Sequence, residues 1–208
     1  GSSFNCLFLR APSSENFPSD LRVPSIDMDE NSLTGELHLA NLAEEASSIS
    51  FRTNKLHGSL DFSKARLGLE TINIGENDFI GSVRLQDIPH TLKSIDARNN
   101  RFSGNLDLDG LQAKGLRDVS FATNLLDGEL NLRALPRGLQ LLDLSHNAFS
   151  GPVTLDQLPR SLHTLRLKGN ALSGDLNISN APDTLINLSI SDNKFQCLLS
   201  GRMRVEIA

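Results

Sequence analysis

The chain has 208 residues, 38% of them hydrophobic, enough to bury one continuous core and to make a disordered chain unexpected. A formal net charge of −5 leaves no surplus of Lys and Arg to displace counterions, so nucleic acid is not an expected partner. No apolar run approaches the roughly 18 to 20 residues that cross a bilayer, so membrane insertion is not expected either. Ten Phe but no Trp or Tyr imply an aliphatic and Phe-based core, and a binding face without the commonest aromatic anchors.

Residues 1–22 precede any periodic pattern. Gly1-Ser2-Ser3 reads as an expression scar, so the lack of a leader sequence is uninformative. Phe4, Cys6 and Phe8 then alternate, as expected of a strand that caps the N-terminal end of a core.

From Val23 to Phe195 the chain repeats. Asn recurs at Asn31, Asn54, Asn77, Asn100, Asn124, Asn147, Asn170 and Asn193, every 23 residues with one step of 24, which is a repeat architecture. Two residues after each Asn stands Leu or Phe, and four after it stands Gly, until Cys197 replaces the last Gly. Apolar residues five and three positions before each Asn, such as Leu142 and Leu144 or Ile72 and Ile74, alternate as in a short strand with one buried face. Pairs six and eight positions after it, such as Leu106 and Leu108, predict a second short strand per unit. Ile88-Pro89, Leu135-Pro136 and Leu158-Pro159 close units with a turn that needs no amide donor. No helical stripe fits. The Asn column places an amide where stacked coils meet; it can donate to and accept from backbone exposed by the bend in its own coil and the next, which neither Asp nor Leu could do.

The segment from Leu139 to Val153, LQLLDLSHNAFSGPV, resembles the leucine-rich repeat consensus LxxLxLxxNxL followed by the SGxV strand of plant-type repeats. The likeness covers eight in-phase units, residues 23–195, and its LPxxL wording is most similar to leucine-rich repeat proteins of protists such as trypanosomatids. It implies a leucine-rich repeat solenoid: a right-handed horseshoe with a parallel β-sheet on the concave side, second short strands and turns on the convex side, and little or no helix. Local departures are Ala46 and Ala97 at large core positions, Arg66 and Gln112 in place of the closing Pro, and one extra residue near Gln112-Ala-Lys-Gly115. Residues 196–208, in which Met203, Val205 and Ile207 alternate, read as a C-terminal capping strand.

Cys6 and Cys197 should lie at opposite ends of a stack about 35–40 Å long and cannot pair. The absence of a pairable set favours an intracellular, reducing compartment, with an extracellular or surface location as the alternative. The sequons at Asn177 and Asn187 are neutral, because such triplets arise by chance in a chain this rich in Asn and Ser.

Chemistry is sparse. His146 and His163 fall in adjacent repeats but roughly 20 Å apart along the strand direction, too far to share a metal. His38, His57 and His90 show no ligand spacing. Every Gly of the repeat column has a structural reading, so no phosphate loop is present. No catalytic residue, metal or other cofactor is expected.

Outward positions of the second strands carry Glu36, Asp61, Asp107, Asp109, Glu129, Asp156 and Asp175 against Arg84 and Arg133, an acidic strip that reads foremost as a solvated face. On the concave face, column neighbours predict the pairs Asp29–Arg52, Glu70–Lys93 and Asp143–Arg166. Arg98 has Gly75 and Ala122 beside it in its column, so it stands without a partner there, with Asp96 two residues away as its competing neighbour. Arg98, Asp96, Arg52, Arg117, Asp143, Arg166, Lys168 and His146 form the candidate partner-contacting set. The expected function is non-enzymatic protein binding on the concave sheet by a monomer or weak oligomer. The alternatives are a structural subunit that contacts through caps and edges, and an extracellular recognition fragment.

Overall fold

A computed structural model describes residues 24–43, 45–65, 67–199 and 206–207. Two parallel sheets run the length of the stack, each coil contributing a strand to both. The nine-stranded sheet holds β1 (Ser25–Asp27), β3 (Ser48–Ser50), β5 (Thr71–Asn73), β7 (Ser94–Asp96), β9 (Asp118–Ser120), β11 (Leu141–Asp143), β13 (Thr164–Arg166), β15 (Asn187–Ser189) and β17 (Glu206–Ile207). The eight-stranded sheet holds β2 (Thr34–Glu36), β4 (Lys55–Gly58), β6 (Asp78–Gly81), β8 (Arg101–Asn105), β10 (Leu125–Glu129), β12 (Ala148–Pro152), β14 (Ala171–Asn177) and β16 (Lys194–Leu199). The only helical pieces among the described residues are single 3₁₀ turns at Leu39–Asn41, Phe62–Lys64, Leu85–Asp87 and Leu108–Gly110.

The apolar pairs before each Asn point between the sheets. Ile72, Ile74, Leu142, Leu144, Leu165 and Leu167 are fully buried, while the alternating residues on the same strands face out. Ser94 lies opposite Asp118 and Ile95 opposite Val119, so the extra residue near Gln112 is absorbed in the loop and the sheet register continues unbroken. The small Ala97, itself fully buried, stands beside Phe121 in the next coil, and Phe102 reaches across to it. The Phe79 and Phe102 rings stack at 6.1 Å, and Phe102 meets Phe121 edge-on at 6.1 Å. Aromatic volume thus fills space that Ala97 leaves.

The glycine column has a stereochemical cause. Gly58, Gly81 and Gly128 sit directly opposite Phe79, Phe102 and Phe149 of the following coil, with φ of 84°, 87° and 86°. Only Gly adopts that backbone without strain.

Each ladder Asn does more than one job. The Asn100 Nδ2 group donates to the carbonyls of Ile74 (3.0 Å), Ala97 (3.2 Å) and Arg98 (3.2 Å), and Oδ1 accepts from the Phe79 amide at 3.0 Å. Asn54, Asn77, Asn124, Asn147 and Asn170 repeat the pattern, as does Asn193. Among the described residues Asn31 bonds within its own coil, to the Met28 and Asp29 carbonyls. The link therefore runs to the preceding coil, where the sequence suggested the following one. The reason is direction: the bend that carries Asn has its Nδ2 and Oδ1 turned back toward the strand pair already laid down.

The residue just before each Asn is left-handed. Glu30, Thr53, Glu76, Asn99, Thr123, His146 and Asp192 have φ between 53° and 57°, and Gly169 has 69°. Sequence periodicity gave no hint of this column, because its residue types vary.

Residues 1–22, Val23, Arg66, Met203 and Val205 lie outside the described residues, as do the side chains of Cys197 and Ile207, so the N-terminal cap and the separation of the cysteines are not described. At the other end, β17 pairs in parallel with β15, Glu206 opposite Asn187 and Ile207 opposite Leu188.

Candidate binding faces

Of the eight candidate residues, Asp96, Asp143 and Arg166 lie on strands of the nine-stranded sheet, Arg52, Arg98, His146 and Lys168 follow such strands, and Arg117 precedes one; most of these cations are engaged. Arg166 Nη1 lies 3.2 Å from Asp143, whose Oδ1 also accepts from the Ser145 hydroxyl at 2.6 Å. Lys93 Nζ lies 2.7 Å from Glu70. These two pairs match the column reading.

The third expected pair does not form. Arg52 turns away from Asp29 and binds Glu76 through Nε and Nη2, at 3.0 and 2.6 Å. Asp29 instead accepts from the Arg52 backbone amide (2.7 Å) and the Ser50 hydroxyl (2.6 Å). The cause is the left-handed residue column: its turn brings the Glu76 carboxylate to the edge of β3, within reach of both Arg52 and the Thr53 hydroxyl, 2.9 Å away. The hydrogen bond from Arg52 first, then that from Thr53, holds the Glu76 carboxyl below its ordinary range, and the same contact raises the Arg52 guanidinium above its own.

Arg98 is not an isolated cation. Its Nη2 lies 2.5 Å from Asp96, and the Arg98 amide also donates to Asp96 at 3.1 Å. The gap at Gly75 has another use: a β-carbon there would lie 3.4 Å from Arg98 Cγ, so the Arg stem lies flat over the glycine. Lys168 sits 3.8 Å from Asp192, a residue the column reading passed over for the same reason as Glu76. His146 packs over Gly169, where a β-carbon would come within 2.6 Å of Nδ1. Arg117 precedes β9 at the sheet edge, exposed, and forms no side-chain ion pair among the described residues.

On the eight-stranded sheet the acidic strip is largely used for local structure. Asp61 caps the Phe62–Lys64 turn through the Ser63 amide (3.0 Å) and hydroxyl (2.6 Å), and the hydroxyl contact holds its carboxyl below the usual range. Asp107 caps the Leu108–Gly110 turn through the Asp109 amide, Asp109 accepts from Asn131 at 2.9 Å, and Asp156 pairs with Arg133 at 3.3 Å. Glu36 and Glu129 lie over Gly58 and Gly151 of the following coils. Among the described residues no three His, Cys, Asp or Glu gather closely enough to hold a metal ion, and no helix is long and apolar enough to cross a membrane.

No family model and no curated relative matches the chain. Solved structures do. The ectodomain of the Arabidopsis receptor kinase HAESA, in complex with a peptide hormone ligand, is 23% identical with a TM-score of 0.63, over 81% of this chain and 34% of that one. Pollen receptor kinase 3 is 24% identical with a TM-score of 0.61, over 88% of this chain and 79% of that one. A plant ice-binding protein is 17% identical with a TM-score of 0.58, over 88% and 72%. The chain spans 33% of the GASSHO1/SCHENGEN3 ectodomain and 31% of the chain of the PEPR1–AtPEP1 complex. Identities this low establish architecture alone, and the architecture agrees with the strand order and the Asn ladder: the chain is a leucine-rich repeat solenoid.

Proposed function

We propose that the protein is a non-enzymatic recognition module that binds an extended segment of another protein along its nine-stranded sheet, as part of an extracellular or cell-surface protein. The observation that carries this reading is the outward side of that sheet, where Arg52, Lys93, Arg98, Arg166 and Lys168 are each held in place by a carboxylate. A surface of fixed, alternating charges favours a partner that is itself polar and extended, and specificity comes from matching that pattern. Exposed ion pairs add little to stability.

Structural neighbours lend support from their own binding. HAESA is described with the peptide hormone IDA and the co-receptor SERK1, and RGFR1 with RGF2. Both are plant receptors, so the extracellular alternative gains over the reducing compartment that the cysteines favour.

The test is affinity capture at low salt with the wild-type protein and with Arg98→Glu/Arg166→Glu. The reading expects proteins captured by the wild type to be lost with the double variant and kept with Asp127→Lys on the other sheet. Capture that survives the double variant overturns it. Location is tested separately by secretion from a eukaryotic cell. Asn177 is exposed, so an extracellular protein is expected to carry glycan there. Asn187 lies on β15 and donates to Thr164 at 3.3 Å, so glycan on Asn187 would cover the proposed face and contradict its use.

A further inference from the structure

We infer a second binding site, for a short acidic peptide segment, on the loop edge between the eight-stranded sheet and the start of the nine-stranded one. Ten residues before the ladder Asn of three consecutive coils stand Lys114, Arg137 and Arg160. All three side chains are exposed, and none makes a hydrogen bond or ion pair among the described residues. Lys55, Arg117 and Lys194 likewise form no ion pair among the described residues, but they are scattered, whereas Lys114, Arg137 and Arg160 line up in one column of consecutive coils.

The three positions are stacked by backbone contacts, so the row is fixed rather than incidental. A β-carbon on Gly138 would come 3.4 Å from the Lys114 carbonyl, which places the Arg137 coil directly against the Lys114 coil. The Ser161 hydroxyl donates to the Arg137 carbonyl at 2.7 Å, which does the same for Arg160. Two coil spacings put Lys114 and Arg160 about 10 Å apart at their backbones.

Two shallow open clefts follow the row and share Leu135 and Arg137. One, of about 400 Å³, lies between Lys114 and Arg137; the other, of about 480 Å³, lies between Arg137 and Arg160. Besides the row itself, Leu111, Leu135, Pro136 and Pro159 line them together with Gln112, Gln157 and Arg133. Cations set beside apolar side chains fit a peptide that carries both carboxylates and apolar side chains. About 10 Å is the span of three residues of extended peptide, and it is too short a track for a nucleic acid, which the protein's acidic remainder would also repel. Nearby acids leave the row free: Asp156 is held by Arg133 and Asp109 by Asn131, while Asp183 occupies the same column in the next coil and ends the row.

The test uses fluorescence anisotropy at low salt, where such contacts are screened least, with fluorescein-labelled decaglutamate as probe. Arg137→Glu/Arg160→Glu is compared with Arg101→Glu/Lys194→Glu, an equal charge change on the other sheet. The site predicts binding by the wild type, a loss of about tenfold or more in the edge variant, and less than about twofold in the control variant. Three results overturn it: no measurable binding of decaglutamate, equal loss in both variants, or tighter binding of a fluorescein-labelled decathymidylate. Circular dichroism of each variant checks that folding is retained. Capture dependent on Arg98 and Arg166 would be untouched by failure here, because those residues lie on the nine-stranded sheet.

Discussion

At the scale of single residues, the ladder Asn is where amide chemistry decides the fold. Asn100 is buried and serves three carbonyls and one amide in two coils. Asn100→Asp removes the donor and sets a carboxylate against three carbonyl oxygens, so it should destabilise by about 3 kcal/mol or more, read from urea denaturation. Thr123 stands at φ 56°, where a β-branched side chain is strained. Asn99 holds the same place one coil earlier at φ 53°, and Asn tolerates that backbone far better. Thr123→Asn should therefore stabilise by about 1 kcal/mol and raise the melting temperature; an unchanged or lower midpoint would contradict the strain. Glu76 supplies a pH dependence. Its folded value is depressed, so its contribution is present above the ordinary value of 4.5 and is lost as the pH falls through the folded value. Glu76→Gln should flatten stability against pH in that acid range, with no effect near neutrality beyond the loss of one partly exposed ion pair.

At the scale of elements, the strands and the Pro-closed turns were legible in the sequence, while the 3₁₀ turns and the left-handed column were not. Alternation around Ile72, Ile74, Leu142 and Leu144 is a period of two, which only a strand with one buried face produces. The 3₁₀ turns span three residues each, too few to show a period, and the left-handed column carries five residue types besides Gly. That second gap explains the mistaken Arg52 partner. Strand columns correctly paired Glu70 with Lys93 and Asp143 with Arg166, whose residues lie in register. Glu76 and Asp192 sit past the strand end, where the backbone turns and column arithmetic stops applying. The basic row at Lys114, Arg137 and Arg160 was legible in principle, since it keeps a constant offset from Asn, but it lies in loops where no hydrophobic pattern draws attention. Packing between elements has its own test. Phe102 bridges Phe79 and Phe121 across three coils and is fully buried, so Phe102→Ala should cost about 3–5 kcal/mol in the same denaturation assay.

At the scale of the whole molecule, each coil touches only its neighbours, so local interactions add along the stack. The architecture presents two long faces. On the eight-stranded sheet, carboxylates cap turns and cover glycines, and their charge keeps that face solvated. On the nine-stranded sheet, ion pairs fix a polar pattern without closing the surface. The aromatic deficit noted in the composition persists there: the outward residues of β9, β11 and β13 offer Leu141 as an apolar contact beside Asp118, Asp143, Thr164 and Arg166. Recognition would rest on charge matching and should weaken with salt. The most direct measurement is hydroxyl-radical footprinting of the protein with and without a captured partner, read by mass spectrometry. Binding on the nine-stranded sheet predicts protection of Leu141, with Ile80 and Leu125, exposed on the other sheet, oxidised as in the free protein. Protection of Ile80 and Leu125 with Leu141 unchanged would contradict the account.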